Sequence, residues 1–517
     1  MRFVHEFLEE NARRTPSKTA IVAGEMRASF AEIEVAANRL AHALSAEGVS
    51  PGDRVAVCLE NSIETVVAIF GILKAGAVFS VINPSVKADK LARIIRDAGA
   101  AALIIAHDAA HRRLVAEMLP ISAPLVVWVT GLPDTAPPAG TRFRAWDELL
   151  RGGKAHAPER TIDESDLGTL IYTSGTTGQP KGVMAAHRDM VFAATAIAAS
   201  LENTADDVIF SALPLAFTYG LYQLMTAMRV GATLVLEKNF VFPAKALQIM
   251  ARERITGFPG VPTMYALLLG ISDLAHYDLS SVRYLTNAAA RLPAHHIRQL
   301  RAAFPQARIY SMYGQTECKR TSVLPPAELD RRPASVGLPL PGTRVLIVND
   351  EGQPLPPGAV GELVVGGPHL MRGYWGKPEE TANTLRPDPV DGALLLYSGD
   401  LFWMDEDGFL YFVSRKDDII KSRGEKVSPT EVENVLYGLK GVRDAAAVGV
   451  LDELLGEAIK VVIVREEQSA LTERDVRAYC AQHLEEFMRP KFIEFVQELP
   501  KSDNGKLIRR NLRECAA

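Results

Sequence analysis

Residues 170–184 read Leu-Ile-Tyr-Thr-Ser-Gly-Thr-Thr-Gly-Gln-Pro-Lys-Gly-Val-Met and concentrate groups that bind an anion. Thr173, Ser174, Thr176 and Thr177 supply hydroxyl donors, and Lys181 supplies a cation. Gly175, Gly178 and Gly182 carry no Cβ, so the chain can turn sharply and aim successive backbone N–H groups at one ligand. The apolar, β-prone run Leu170-Ile171-Tyr172 puts this loop behind a strand. Such a loop suits a polyphosphate. It is not a Walker A loop, because Lys181 is followed by Gly182 rather than Ser or Thr and the glycine spacing differs.

Further polar clusters sit at the ends of apolar runs. After the strand-like 307–312, Tyr313-Gly314-Gln315-Thr316-Glu317 offers a flat face for a purine, a hydroxyl, and a hard oxygen ligand for Mg²⁺ in Glu317. Loops after strand ends are where open α/β sheets bind ligands. Tyr397-Ser398-Gly399-Asp400 ends another strand, and an Asp there can accept bonds from both ribose hydroxyls. Two charged stretches, Ser414-Arg-Lys-Asp-Asp-Ile-Ile-Lys421 and Pro500-Lys-Ser-Asp-Asn-Gly-Lys506, have no evident role from composition alone.

Taken together and in this order, the motifs resemble those of the adenylate-forming superfamily, which includes acyl- and aryl-CoA ligases, stand-alone adenylation domains and luciferases. The resemblance covers nearly the whole chain. It implies that 173–182 binds the ATP phosphates, that Asn287, Tyr313 and Gly314 belong to the nucleotide site, and that Thr316 and Glu317 act in catalysis, with Glu317 on Mg²⁺. It implies that Asp400, Arg415 and Lys421 hold ribose or phosphate. Asp417 matches the hinge, and Gly424, in Gly-Glu-Lys-Val-Ser-Pro429, the thiol tunnel. Lys506 matches the lysine that bridges the substrate carboxylate and the α-phosphate, where charge grows as pyrophosphate leaves. Two positions depart from the family: Ser398 stands for its usual Thr and Ser414 for its usual Gly.

The acyl pocket positions implied by the resemblance fall at Phe217–Leu221, Val261–Thr263 and Thr286–Ala290. Amino-acid-activating members carry an Asp in the first stretch; here the position is Phe217 or Thr218. An α-ammonium buried there would be unpaired, which disfavours α-amino acids. Phe217, Thr218, Tyr219 and Val261, with Tyr222, suggest a mostly apolar slot, and plain core packing is the competing reading of these aromatics. Ala288, Ala289 and Ala290 replace a Gly-rich stretch seen in many relatives.

The elements that must hold these residues alternate. Strands expected at 54–59, 78–82, 101–106, 208–213, 232–237, 282–287 and 307–312 are separated by helices expected at 63–74, 87–98, 187–202, 216–230, 244–254 and 292–304, which implies parallel sheets covered on both faces. Before them come a short helix at 5–14, a hairpin at 18–30 and a capping box at Ser29-Phe-Ala-Glu32. Residues 335–365 read as a small β-barrel or sheet, and 396–404 with 409–413 as a hairpin. The expected fold is α/β: a large N-terminal domain of two packed α/β sheets plus a small β-barrel subdomain (1–414), then a small, mobile α+β domain (415–517).

The chain of 517 residues, with 48% hydrophobic and 23% charged residues and net charge −5, reads as an ordinary soluble globular protein with no basic surplus for nucleic acid or anionic membranes. Its 4 cysteines form no CxxC pair, which fits a reducing cytoplasm. No signal peptide or transmembrane run is apparent. A P-loop ATPase or kinase is disfavoured by the loop itself. A non-catalytic relative is disfavoured by intact Glu317, Asp400 and Lys506. The expected activity is ATP-dependent conversion of a small carboxylic acid to acyl-AMP, then transfer to a thiol. Two acceptors stay open: coenzyme A, or the phosphopantetheine of an acyl or peptidyl carrier protein.

Overall fold

The computed structural model describes the chain except for residues 107, 119–124, 130–141, 160, 175–179, 291, 423–424, 453–455, 468, 502–506 and 514–517. Its contacts divide it into two compact units. The first comprises Met1–Asp330, Leu340–Arg344 and Gly366–Leu396; the second comprises Arg331–Pro339, Val345–Val365 and Tyr397–Ala517.

Two sheets organise the first unit. One runs in the order Ser322–Val323, Arg308–Tyr313, Tyr284–Asn287, Gly257–Gly260, Val208–Ser211, Thr233–Leu236, Thr19–Ala23, Met26–Ser29. Its strands from Arg308–Tyr313 to Thr19–Ala23 pair in parallel, and Ser322–Val323 and Met26–Ser29 pair antiparallel on either side of that run. The other has eight strands: Gly373–Tyr374, Pro180–Ala186, Leu167–Ser174, Val78–Val81, Arg54–Cys58, Ala100–Ala106, Leu125–Val129, Phe143–Ala145. Parallel pairing again fills its centre, as the strand–helix alternation predicts.

Between the sheets lies one core. It joins Ile21 and Leu234 of the first sheet and Val57 and Phe79 of the second to Leu40, Phe70, Leu224 and Met228 on three helices. The helix Ile63–Lys74 is buried over nearly its whole length, which explains its apolar sequence. Even Lys74 is fully buried, held by Glu9 at 2.6 Å and Glu34 at 2.8 Å. Helix Phe30–Ala46 starts at the expected capping box, with Glu32 N donating to Ser29 Oγ and Ser29 N donating to Glu32 Oε2.

The second sheet adds an element that the sequence reading leaves unassigned. The segment after the phosphate loop is a strand, Pro180–Ala186, running antiparallel to Leu167–Ser174. Thr173 therefore stands opposite Lys181, and Ser174 opposite Pro180.

In the second unit, Glu425–Val427, Ile420–Ser422, Gly456–Arg465 and Val442–Asp452 form a sheet, to which Phe492–Val496 adds in parallel. Helices Pro429–Leu436 and Glu473–His483 cover it through Val432, Leu436, Val476 and Cys480. The pattern is the expected small α+β one, with the antiparallel strand pair Ile420–Ser422 and Glu425–Val427 added. Residues 335–365 contain the strands Leu338–Pro339, Arg344–Val348 and Gly361–Gly366. The expected hairpin is present as Leu394–Met404 and Leu410–Arg415.

Candidate active site

In the first unit, Tyr313 ends strand Arg308–Tyr313 and the next residues turn back on themselves. Thr321 N donates to Tyr313 O at 2.9 Å and Cys318 N to Gln315 O at 3.2 Å. Gly314 is required by this turn: a Cβ there would stand 2.8 Å from Arg320 Cα and closer still to Lys319 O. Two ties hold the far side of the loop. Met371 N donates to Glu317 O at 2.7 Å, and the buried Lys319 ammonium donates to His369 O at 2.8 Å. Burial pushes Lys319 down to about 8.

Tyr374 links the two strongest sequence motifs. Its hydroxyl donates to Glu317 Oε1 at 2.9 Å. Its ring lies 5.2 Å from Lys181 Nζ, within cation–π reach. Gly373–Tyr374 is a two-residue strand paired with Pro180–Ala186, and that pairing brings the tyrosine in. The sequence reading missed Tyr374, since a two-residue strand carries no periodic signal and its partner Glu317 is 57 residues away.

The three acyl-pocket stretches converge on Tyr219. Its hydroxyl lies 2.8 Å from Thr286 O, 2.7 Å from Thr286 Oγ1 and 3.3 Å from Gly260 O. Phe217, Thr218 and Tyr219 are half-buried at the start of helix Thr218–Val230, and Val261 caps the helix Pro262–Leu269. Thr218 Oγ1 donates to Thr316 Oγ1 at 3.2 Å, so this helix end adjoins the Thr316–Glu317 loop. Tyr222 instead belongs to the core, 2% exposed. Asn287 is buried at a strand end; its Nδ2 donates to Ala290 O at 2.8 Å, while its Oδ1 is buried without a partner among the described residues. Ala288 is buried and Ala289 exposed, the latter at φ 72°, a conformation that favours glycine.

In the second unit, Asp400 and Arg415 are direct cross-strand partners, with Arg415 Nε 3.3 Å from Asp400 Oδ1. Asp400 is buried and the Arg415 side chain is 55% exposed. Ser398 Oγ donates to Leu363 O at 2.6 Å and accepts from Asp400 N at 3.1 Å, so the hydroxyl kept at this position braces the aspartate. Asp417 lies exposed in the short turn Lys416–Asp418. Next to it, Lys416 is anchored to Asp350 at 2.9 Å and Glu362 at 3.2 Å. Lys421 stands on strand Ile420–Ser422. Gly175, Thr176, Thr177, Gly178, Gly424 and Lys506 lie outside the described residues.

Glu317 presents a single carboxylate, and no cluster of three or more His, Cys, Asp or Glu side chains occurs among the described residues. That donor set fits Mg²⁺, which protein sites commonly hold through one or two carboxylates plus substrate phosphates. The buried, unpartnered Asn287 Oδ1 likewise fits an amino donor such as that of adenine. A concavity of about 820 Å³ between residues 269–280 and 299–306 is lined by none of the candidate residues.

Strand Pro180–Ala186 and the strand-end Glu317 thus meet at Tyr374, and the comparisons place this arrangement in a class of nucleotide-dependent ligases. The AMP-binding enzyme family matches residues 8–375 and its C-terminal domain residues 431–506. A long-chain-fatty-acid–CoA ligase of Bacillus subtilis is 32% identical, over 99% of this chain and 94% of that protein. A feruloyl-CoA synthase of Amycolatopsis is 35% identical, over 97% and 96%. Among solved structures, the anthranilate CoA ligase AuaEII in complex with anthranoyl-AMP superposes with a TM-score of 0.88 at 29% identity, over 99% and 96%. The chain belongs to the AMP-binding enzyme family, the adenylate-forming superfamily. It is an AMP-forming acid–thiol ligase.

Proposed function

We propose that this protein activates a small aryl or aliphatic carboxylic acid as its acyl-AMP and passes the acyl group to coenzyme A. The observation that carries this reading is Tyr374, which joins Lys181 of the phosphate hairpin to Glu317, beside the Thr218–Thr316 contact at the acyl pocket. A triphosphate and a carboxylate brought to that point meet with a cation and a hard oxygen ligand at hand.

In the first half-reaction a carboxylate oxygen attacks the α-phosphorus of ATP and the bond to the pyrophosphate oxygen breaks. Residues 173–178 and Lys181 hold the phosphates, Asn287, Tyr313 and Gly314 the base, and Asp400, Arg415 and Lys421 the ribose side. Glu317 would hold Mg²⁺, which when bound neutralises phosphate charge. Thr316 orients the reacting phosphate, and Lys506 sits between the two anions as charge builds. In the second half-reaction a thiolate attacks the acyl carbon and AMP leaves. We assign that step to a rotation of residues 415–517 about Asp417, with Gly424 lining the thiol path.

The names of the relatives support coenzyme A over a carrier protein as the acceptor. Three buried, unpaired cysteines, Cys58, Cys318 and Cys480, support a reducing compartment such as the cytoplasm. Among the described residues no helix is long and apolar enough to cross a membrane.

The test is a carboxylate panel in ATP–pyrophosphate exchange, followed by thioester formation with coenzyme A or a phosphopantetheinylated carrier protein. Exchange with aryl or short-to-medium aliphatic acids and transfer to coenzyme A are expected. An α-amino acid as best substrate by an order of magnitude, or transfer to the carrier alone, overturns the assignment.

A further inference from the structure

Three cations lie buried or half-buried around the Thr316–Glu317 loop, and the protein treats them differently. The Arg372 guanidinium is paired twice with the buried Asp189, at 2.8 Å through both Nε and Nη2. Lys319 has the His369 carbonyl. Arg320 is 3% exposed, yet no acceptor or carboxylate among the described residues pairs with its guanidinium, and its Nε is buried without a partner. Burial lowers its affinity for the proton; the Tyr219 and Cys318 side chains oppose that shift, but no carboxylate does. A guanidinium cannot shed its charge as a lysine can, so an unpaired one in the interior is costly. Replacing such a group with a hydrophobe would stabilise the fold. Its presence asks for a partner that comes from outside.

The guanidinium has a defined neighbour. Its Cζ lies 5.2 Å from the centroid of the Tyr219 ring. Tyr219 is the residue on which Gly260 and Thr286 converge, and it follows Thr218, which touches Thr316. Arg320 thus stands at the wall where the acyl-pocket stretches meet the reaction loop. Gly314 packs against the Arg320 backbone, and Arg320 N donates to Cys318 O at 2.6 Å, so its position is fixed by the same turn that places Glu317.

We propose that Arg320 is a specificity-determining residue that receives a second oxygen acceptor on the acid being activated, a carboxylate foremost. The acid is then a diacid or an oxygen-substituted acid rather than a plain hydrocarbon acid. The carboxyl to be adenylated goes to the ATP α-phosphate, and the second oxygen accepts from the guanidinium. This inference rests on the acid-activating reading above and deepens it.

The experiment compares length-matched acids in ATP–pyrophosphate exchange: hexanoate, 5-oxohexanoate and adipate, and benzoate against isophthalate. A hydrogen bond to a charged group corresponds to about 10- to 100-fold in kcat/KM. The wild type should favour the oxygen-bearing member of each set by that factor, and Arg320→Met should bring the members within about threefold of one another. Comparing adipate with 5-oxohexanoate separates an anionic from a neutral acceptor. Thermal melting supplies a readout independent of turnover: Arg320→Met should melt at or above the wild type, and the preferred acid should raise the wild-type Tm alone. Exchange that is indifferent to the second oxygen, or a sharp fall in Tm for Arg320→Met, overturns the proposal and leaves the ligase reading standing. No exchange with any carboxylic acid overturns both.

Discussion

Gly314→Ala tests whether the Tyr313–Glu317 loop is held in place by packing. The added Cβ would stand 2.8 Å from Arg320 Cα and closer still to Lys319 O. Carbon atoms in ordinary contact are about 3.5–4.0 Å apart, so the two arms of the turn must separate by roughly 0.7–1.2 Å. Both atoms belong to the backbone, which cannot rotate aside. The arms are also tied elsewhere, through Met371 N to Glu317 O and Lys319 to His369 O. The displacement therefore falls on Thr316 and Glu317. A misplacement of ~1 Å at reacting groups costs on the order of 10²-fold in rate. The same overpacking costs about 1–3 kcal/mol of stability, a melting shift of a few degrees that leaves the protein folded at 25 °C.

The assay is initial-rate ATP–pyrophosphate exchange with the best acid, at saturating and limiting ATP, alongside thermal melting. Gly152→Ala serves as control, because nothing lies within 4 Å of a Cβ built at Gly152 at the end of helix Trp146–Gly152. The control should keep full exchange activity. If Gly314→Ala also exchanges within about threefold of the wild type, the loop yields without moving its functional groups, and the argument from packing is wrong.

Lys506→Ala should slow adenylation by ~10²-fold or more while still converting supplied acyl-AMP to thioester; equal loss of both steps removes the division of labour proposed for this lysine. Asp417→Pro should keep adenylation and lose thioester formation if the locked hinge state is the adenylating one, because proline fixes φ near roughly −65°; full thioester turnover in this variant refutes the hinge assignment. Asp207→Ala should cost about 3–5 kcal/mol in chemical unfolding. Asp207 is 2% exposed and accepts from Arg283 at 2.7 and 2.6 Å, Thr256 at 2.6 Å and Thr204 N at 2.9 Å. Burial raises its pKa, but these bonds together outweigh it and leave the carboxyl below its ordinary value. The Asp207 contribution is therefore whole above an unfolded pKa of roughly 3.9 and fades as pH falls through the folded value, so the deficit of the variant should be flat from neutral pH to about 5 and shrink in stronger acid. Ala289→Gly should stabilise by ~1 kcal/mol by relieving φ 72° at an exposed alanine, read as an upward shift in Tm; an unchanged or lower Tm contradicts that.

The parallel core was legible because its signals are local. Helix Ile63–Lys74 falls where its apolar run ends before Gly76, and the capping box at Ser29 and Glu32 forms as its spacing predicts. The strand Pro180–Ala186 was hidden by Pro180 and Gly182, residues that normally weaken strands. Helix Trp146–Gly152 and strand Leu125–Val129 follow from plain apolar patterns that the sequence reading leaves unassigned. The strand pair Ile420–Ser422 and Glu425–Val427 was obscured by charge, although Ile420, Ser422 and Val427 are buried. At the site, Glu317 was picked out by the family motif it resembles, whereas Tyr374 and Arg320 owe their significance to contacts far along the chain. No window of sequence distinguishes Arg320 from an ordinary surface arginine; only its burial does.

That burial changes what the pocket selects. The sequence argues against α-amino acids by an absence, since neither Phe217 nor Thr218 is acidic. On the proposed reading Arg320 adds a presence. An α-ammonium entering the pocket would lose its hydration, find no carboxylate at Phe217 or Thr218, and approach a guanidinium of like sign that no carboxylate among the described residues pairs with. In a low-dielectric wall that repulsion is weakly screened. An acid bearing a second oxygen meets the reverse situation, because its desolvation is offset by a donor already stripped of water. One buried charge thus rejects one class of acid and recruits another, and Arg320→Met should weaken the rejection and the recruitment together.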